Sequence, residues 1–574
     1  MQKLQGVGVS LGIAVGRAKV LNRQPLQVAS RSIDASDVSS ELVRFRSALE
    51  HIGNDISRLL DSFSFGKNER DILDTHRLIL QDPELIKSVE RMVRDDLICL
   101  EHAVSRHFQK AAKLFDEMED DYMAQRIADY REINQRLLRH LQGNEQKIEL
   151  DTDTILVVDE IPVSLLMKLS RDKLRGIVTD KGSRTSHAAI VARSLGLPVV
   201  VGLRDVITEV EDNAHCILDG QSGQLIINPD SHTSDVYEQL LSNQEQHRED
   251  LLKLVEQETA TADGTRIHLR LNIELPEEMD HVLHLSEDGV GLFRTEFLFM
   301  DRSSLPTEEE QYIIYREVAE KLLPAPLVIR TVDIGGDKLS NLLNIEPEKN
   351  PALGCRGIRL SLEHPDLFRT QIMAILRAAV TGNIRVMLPL ISCVEQVQRS
   401  RKLIRTCEQE LAQRGREFRR NVPLGVMIET PAAAMISSVL ATECDFFSIG
   451  TNDLIQYTLA VDRASDTVAD QFDPYHPAVL HLITLTVQNA RKHNLPVSIC
   501  GEMAAESDFI PFLIGLGLHD LSVSPGIYLT AKENIMRVQS SDIVDLVLDV
   551  LDAECSAEVK QRIRDWHKAS RKSR

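Results

Sequence analysis

The chain has 574 residues, enough for three or four domains that each bury a core. Its formal net charge of −21 and pI near 5.4 argue against nucleic acid or an anionic membrane as the main partner. No apolar run reaches the length of a membrane span, Met1–Gly6 lacks a signal-peptide core, and the eight cysteines form no Cys-x-x-Cys pair. We therefore expect a cytoplasmic protein without disulfides or a zinc site.

The first part of the chain changes character twice. Residues 6–22 alternate β-forming residues with glycine, which is typical of strands and tight turns. Residues 23–145 contain long amphipathic helices with little glycine or proline, and strand signals resume at Thr154–Val158. This order predicts a helical bundle inserted into an α/β domain that is built from residues 1–22 and 146–228.

Within that α/β domain, the run Asp180–Pro198 indicates a loop that leads into a short helix over Ala188–Leu195. His187 then lies at a helix N-terminus, where free N–H groups and the helix dipole favour an anion and a neutral imidazole. A neutral imidazole next to a phosphate-binding site suits a phosphoryl acceptor. Considered alone, the run also fits a capping or core histidine.

The second part of the chain begins with a connector. Residues 229–261 are polar and helical, with too few apolar side chains for a core helix, and predict a linker helix.

From residue 262 to 574, β-like runs alternate with helical ones. The eight candidate strands are Ile267–Asn272, Gly289–Arg294, Leu327–Asp333, Ile384–Leu390, Leu424–Glu429, Phe446–Thr451, Pro496–Cys500 and Leu521–Ser524. Eight βα units over about three hundred residues predict a (β/α)8 TIM barrel. The run Arg356–Leu360 also resembles a strand, and we assign it to a long βα loop.

Charged residues follow the carboxyl ends of several predicted strands, which is where TIM barrels carry their active sites. Glu429 and Asp453, on successive strands, suit a Mg²⁺ held by one or two acids and by substrate oxygens. Arg294, Arg330 and Arg463 offer bidentate donors for phosphate and carboxylate, although each could instead form a salt bridge at the barrel rim. Together these residues predict a small, highly charged phosphorylated acid as the ligand.

Cys500 ends the seventh predicted strand. A free cysteine is usually a small buried apolar residue. Because its ordinary pKa is about 8.5, the thiol is protonated at neutral pH and could also donate a proton. The residues alone leave both interpretations open.

Two long runs resemble the signatures of the phosphoenolpyruvate-utilising enzymes. Gly182–Arg193 resembles their phosphohistidine signature, with Ser183 where the family usually has glycine, and Asp445–Arg463 resembles their second signature. The order of these runs, over nearly the whole chain, is similar to that of the enzyme I family of the bacterial phosphotransferase system.

The resemblance implies a phosphohistidine domain interrupted by a bundle that docks the phosphocarrier protein HPr, then a linker and a phosphoenolpyruvate-binding barrel. It implies that His187 takes the phosphoryl group of phosphoenolpyruvate and passes it to a histidine of HPr, with release of pyruvate. The site residues implied are Arg294, Arg330, Asn452, Asp453 and Arg463 for phosphoenolpyruvate, Glu429 and Asp453 for Mg²⁺, and Cys500 as the proton donor. A homodimer through the barrel is implied as well.

Three other functions compete with this interpretation. The implied pathway is sugar uptake or its regulation, and a regulatory phosphorelay not coupled to sugar transport is the alternative within the family. A dikinase or synthase of the same superfamily would charge its histidine from ATP, but the chain before His187 has no room for a nucleotide-grasp domain. A non-catalytic regulatory phosphoprotein would not need the acid pair and the arginines.

Overall fold

The computed structural model divides into two compact units, Met1–Gln246 and His247–Arg574, which we describe separately. The described residues are all except 11, 22–27, 29, 63–66, 117–120, 144–151, 160–172, 182–196, 275, 277, 280–282, 301, 303, 336–342, 344–349, 464, 466–467, 540–542 and 573–574. Among these described residues, no helix combines the length and apolar character that crossing a membrane requires.

In the first unit, the described residues form an eight-stranded mixed sheet in the order β1-β8-β7-β3-β4-β5-β6-β2. The strands are β1 Gln2–Gln5, β2 Val7–Ser10, β3 Ile13–Leu21, β4 Thr154–Val158, β5 Leu174–Thr179, β6 Val199–Val201, β7 His215–Asp219 and β8 Gln224–Ile227. β3 pairs parallel with β4 and antiparallel with β7, so the start of the chain and the segment after residue 153 share one sheet. Side chains such as Ile155, Val178 and Val200 form its core.

A helical bundle lies between β3 and β4 in the chain. Its described helices are α1 Val38–Ser62, α2 Lys67–Leu80, α3 Pro83–Asp95, α4 Leu100–Asp116 and α5 Asp121–Leu141. Each is amphipathic, and the apolar faces meet in a core that includes Phe45, Val89, Val104 and Leu137. The predicted insertion of an all-α bundle into an α/β domain is therefore confirmed.

Between the bundle and the barrel in the chain, the described residues form two helices, α6 Val206–Glu209 and α7 Ser231–Leu252. α7 is described over its whole length, and none of its residues is buried. A helix without a buried stripe fits the polar composition of this segment. The limits 229–261 of a linker remain a prediction, as do the boundaries predicted after residues 22, 145 and 228.

The second unit is a closed barrel of eight parallel strands, which confirms the predicted TIM barrel. The strands are β9 His268–Ile273, β10 Val290–Phe293, β11 Leu327–Arg330, β12 Ile384–Leu388, β13 Leu424–Ile428, β14 Phe446–Gly450, β15 Val497–Cys500 and β16 Asp520–Val523. The described α-helices are α8 Glu308–Leu322, α9 Ile358–Glu363, α10 Pro365–Ala378, α11 Val394–Gln413, α12 Pro431–Met435, α13 Ser437–Leu440, α14 Thr451–Leu459, α15 Pro477–Lys492, α16 Ile510–Leu516, α17 Tyr528–Met536, α18 Ile543–Leu551 and α19 Ser556–Lys572. Each predicted strand overlaps one of these strands.

The run Arg356–Leu360 is not a strand. Arg356 and Gly357 lie in the loop after β11, as predicted, but α9 begins at Ile358, so the loop assignment is wrong from there on. The apolar residues Ile358 and Leu360 are buried on a helix, and so short an apolar run does not distinguish a helix from a strand.

The barrel interior holds an apolar cluster of Leu292, Val328, Met387, Met427, Phe446 and Cys500. Gly425 makes room for the Phe446 ring, since a Cβ at residue 425 would lie 2.3 Å from it. This filled interior supports the carboxyl ends of the strands from below.

Candidate active site

Seven of the eight site residues predicted from sequence lie at the carboxyl ends of the barrel strands. Arg294 follows β10, Arg330 ends β11, Glu429 follows β13 and Cys500 ends β15. Asn452 and Asp453 are in the first turn of α14, directly after β14, and Arg463 follows that helix. Because all eight strands are parallel, these positions belong to one rim of the barrel.

Arg330 is buried among carboxylates. Its Nη2 donates to Glu296 Oε1 at 2.9 Å, and its Nη1 lies 3.1 Å from Asp333 Oδ2. Burial acts to lower the pKa of Arg330, but Glu296 and Asp333, followed by Glu429 and Asp453, together raise it. Arg330 is therefore a permanent, fixed positive charge at the rim.

Asp333 receives a second arginine from the loop after β11. Arg356 donates from Nε to Oδ1 at 3.2 Å and from Nη2 to Oδ2 at 2.9 Å. Burial acts to raise the pKa of Asp333, but Arg330 and Arg356 outweigh it and lower the pKa. The same Arg356 Nη2 lies 3.7 Å from Asp453 Oδ2, so one guanidinium contacts carboxylates at two strand ends.

Asp333, Glu429 and Asp453 form a buried acidic cluster, with one oxygen from each lying within 4.8 Å of the others. Burial, then Asp453 and Asp333, raise the pKa of Glu429 well above its ordinary value. Within the described part of the chain, Asp453 Oδ1 is buried and accepts no hydrogen bond. Crowded carboxylate oxygens with an unused acceptor are ligands that suit a hard divalent cation, so these residues could hold a metal ion.

Arg294 and Arg463 lie at the edge of this cluster. Arg294 Nη1 donates to Glu274, while its buried Nε has no hydrogen-bond partner among the residues that the structure describes. Burial, and then the nearby Arg330, lower the pKa of Arg294. The Arg463 side chain is 46% exposed, with Nη2 at 3.8 Å from Asp453 Oδ1. Both guanidinia thus retain donors for an anionic ligand.

Cys500 is buried between β14 and β16. Its thiol lies 3.5 Å from the Ile449 carbonyl oxygen, to which it donates, and Ser448 Oγ donates to the sulfur at 3.6 Å. Burial raises the pKa of the thiol, so it carries a proton at neutral pH. Gly501 follows Cys500 with φ at +100°. A Cβ at residue 501 would lie 2.2 Å from Thr451 Oγ1, so this position requires glycine.

Asn452 is tied to the segment that follows Cys500. Its Nδ2 donates to Glu502 Oε1 at 3.4 Å, and the Glu502 backbone N–H donates back to Asn452 Oδ1 at 3.3 Å. The reciprocal pair links the ends of β14 and β15, so the amide is held at the rim beside Asp453.

His187 lies within 182–196, outside the described residues, and so do Ser183 and the helix predicted for this run. Conversely, the predicted site omitted Glu296, Asp333 and Arg356, which the structure places among its members. Glu296 and Asp333 could have been found, since they follow Arg294 and Arg330 by two and three residues. Arg356 carried no such signal, because it lies in a loop whose path the sequence does not reveal.

Three family descriptions match the chain. "PEP-utilising enzyme, PEP-binding domain" matches residues 248–540, "PEP-utilising enzyme, N-terminal" matches residues 5–126, and "PEP-utilising enzyme, mobile domain" matches residues 150–223.

Similar proteins extend over nearly the whole chain. A phosphoenolpyruvate-protein phosphotransferase of Priestia megaterium is 37% identical over 567 residues, which cover 98% of this chain and 99% of that protein. One of Bacillus subtilis (strain 168) is 36% identical, over 99% of this chain and 100% of that protein. An NMR solution structure of Enzyme I covers 42% of this chain and 99% of its own, at 32% identity and a TM-score of 0.38.

Proposed function

The chain belongs to the phosphoenolpyruvate-protein phosphotransferase family, and on that premise we propose that it passes the phosphoryl group of phosphoenolpyruvate to His187 and then to a histidine of a phosphocarrier protein. The observation that carries the proposal is the rim of the barrel, where the guanidinia of Arg294, Arg330, Arg356 and Arg463 surround an acidic cluster.

Phosphoenolpyruvate combines a carboxylate with a phosphate, and its binding requires several fixed cations. In our proposal Arg294, Arg330 and Arg463 bind these oxygens, the Asn452 amide donates to the ligand, and the Asp453 carboxylate helps to orient the ligand together with its metal ion. Arg330 suits the phosphoryl group because its guanidinium is buried and already held by Glu296. A buried, preoriented cation stabilises negative charge more than a solvated one does.

Glu429 and Asp453 would hold Mg²⁺, because their oxygens crowd together and Asp453 Oδ1 accepts no hydrogen bond from the residues described. When bound there, Mg²⁺ would neutralise charge on the phosphoryl and carboxylate oxygens of the substrate. Asp333 is engaged by two arginines, so we assign it the role of orienting them.

In the first half-reaction, a neutral His187 nitrogen forms the new bond to phosphorus while the bond from phosphorus to the enolate oxygen breaks. The arginines stabilise the charge on the transferring group. The enolpyruvate that leaves takes a proton at its methylene carbon, and we assign the donor as the Cys500 thiol, which burial keeps protonated. Pyruvate is the product, and the thiolate regains its proton from water.

In the second half-reaction, His187 passes its phosphoryl group to the carrier, which we expect to be HPr docked on the helical bundle. We further propose a homodimer through the barrel. The cytoplasm is the proposed compartment, consistent with eight cysteines that are all free thiols.

The test is to mix the purified chain with phosphoenolpyruvate and Mg²⁺, with and without purified HPr, and to measure pyruvate and phosphorylated HPr. We expect one pyruvate per His187 without the carrier and continuous release with it. Absence of pyruvate in both mixtures would refute the assignment. A single turnover that HPr does not extend would instead point to a relay with another acceptor.

A further inference from the structure

Gln371 lies on α10, outside the barrel wall, and its side chain is fully buried. Its amide makes three hydrogen bonds. Nε2 donates to Thr295 Oγ1 at 3.0 Å and to the Tyr315 hydroxyl at 3.1 Å, while Oε1 accepts from the Val332 backbone N–H at 3.0 Å. One side chain therefore connects α10 with α8 and with the ends of β10 and β11.

The hydrogen bonds of Gln371 support the peptide segment of residues 330–332, which includes Arg330. Thr295 Oγ1, which Gln371 supports, donates to the Arg330 carbonyl oxygen at 2.9 Å. The last ladder bond of β11 joins the Thr331 N–H to Met387 O at 3.0 Å. Beyond it the sheet gives no partner to the Val332 N–H, and Gln371 supplies one. Gln371 thus holds the Val332 N–H directly and the Arg330 carbonyl through Thr295, in addition to the Thr331 ladder bond and the bond from the Asp333 N–H to Glu296.

Arg330 begins that segment and Asp333 follows it, and their side chains form the ion pair at the rim. A rotation of the peptide at Val332 would move both groups at once. Catalytic sites tolerate little such movement, because misplacing a group by about 1 Å can cost on the order of a hundredfold in rate.

We infer that Gln371 is a positioning residue for phosphoenolpyruvate binding, an inference that rests on the proposed function. Gln371 acts through the backbone of residues 330–332, which orients the Arg330 guanidinium. A merely structural role is the competing account, since any buried amide with three partners stabilises the fold. The two accounts differ in what a substitution changes: the KM for phosphoenolpyruvate in the first, only the unfolding temperature in the second.

Gln371→Met keeps the length of the side chain and removes all three bonds. The matched control is Gln311→Met, because Gln311 is equally buried in the same network but, within the described part of the chain, its side chain hydrogen-bonds only Tyr315 and the Pro306 carbonyl. Thr295→Val is a second test variant with an unchanged shape, which removes only the bonds of the Thr295 hydroxyl. It keeps the inference testable if Gln371→Met fails to fold.

The full chain is assayed for pyruvate release with HPr, and hydrogen exchange is followed in the peptide that contains Val332. We expect Gln371→Met and Thr295→Val to raise the KM about tenfold to a hundredfold, the scale of loss that a misplacement of about 1 Å produces. We expect kcat to fall as well, because Arg330 also stabilises the charge on the transferring group. Faster exchange at Val332 should appear in Gln371→Met but not in Gln311→Met.

An unchanged KM in a folded Gln371→Met variant, or an equal rise in Gln311→Met, would overturn this inference and leave the proposed function standing. If the wild-type chain releases no pyruvate from phosphoenolpyruvate, the proposed function fails instead, and the inference that rests on it falls too.

Discussion

The Asp333 carboxylate and the Arg356 guanidinium form a bidentate pair, with donor–acceptor distances of 3.2 and 2.9 Å. Asp333 lies three residues beyond the end of β11, whereas Arg356 comes from the segment that precedes α9. The pair holds Arg356 at the rim and presents the same guanidinium to Asp453 at 3.7 Å. A loop residue thereby becomes part of a site that is otherwise built on strand ends.

Arg356→Met should therefore destabilise the second unit and weaken phosphoenolpyruvate binding. Removing one partner of a buried ion pair costs about 3–5 kcal/mol. Because Arg330 still contacts Asp333, we expect the lower end of that range, measured by denaturant unfolding. Arg359→Met is the control, since, among the residues that the structure describes, Arg359 donates only to the carbonyls of Leu353 and Gly354. Equal effects of the two substitutions would show that the pair has no special role.

Mg²⁺ should stabilise the wild-type chain against thermal unfolding. A ligand present at a hundred times its dissociation constant adds about 2.7 kcal/mol to the stability of the folded state. Glu429→Gln should abolish most of this gain. Asp288→Asn should keep it, because Asp288 pairs with Arg266 and His268 ahead of β10, at the opposite end of the strands. A full Mg²⁺ effect in Glu429→Gln would contradict the metal assignment.

Cys500→Ala should separate proton transfer from phosphoryl transfer. Loss of a positioned acid typically lowers turnover by about a hundredfold to ten-thousandfold. The affinity for phosphoenolpyruvate should be unchanged, because the arginines and carboxylates are untouched. The rate of the first phosphoryl transfer in a single turnover should fall less than the rate of steady-state pyruvate formation. Cys407→Ala is the control, because Cys407 is a buried free cysteine in α11. Intact steady-state turnover in Cys500→Ala would mean that another group donates the proton.

His187→Ala should abolish the phosphoenzyme and the phosphorylation of HPr. Phosphoenolpyruvate binding, measured by calorimetry with Mg²⁺, should stay near normal because every proposed ligand is in the barrel. An acid-labile phosphoprotein formed by this variant from phosphoenolpyruvate would identify a different nucleophile.

A chain that ends near Ser231 should fold by itself, because all the strands of the first sheet lie before that residue. We expect this fragment to exchange phosphate with phosphorylated HPr and to be inert with phosphoenolpyruvate. Circular dichroism and radiolabel transfer would report both properties. Direct phosphorylation of the fragment by phosphoenolpyruvate would refute a substrate site in the barrel.

Much of the second unit could be predicted because its signals are local. Strands such as β13 and β14 are buried on both faces, so each appears as a short apolar run that ends in a polar residue. Parallel strands place their carboxyl ends together, and this rule alone was enough to group Glu429 with Asp453. A short apolar run does not by itself identify the element at Ile358, where a run too short to show a period belongs to a helix.

The sequence by itself determined the alternation of strands and helices, the bundle within the α/β domain, and the rim residues attached to strand ends, because periodicity and turn chemistry act over a few residues. Only the tertiary structure decided that Arg356 reaches Asp333, that Gln371 supports the Val332 N–H, and that Glu429 lies buried among two other carboxylates. These contacts join residues 23 to 96 positions apart, and they depend on loop paths and helix packing that no local pattern encodes.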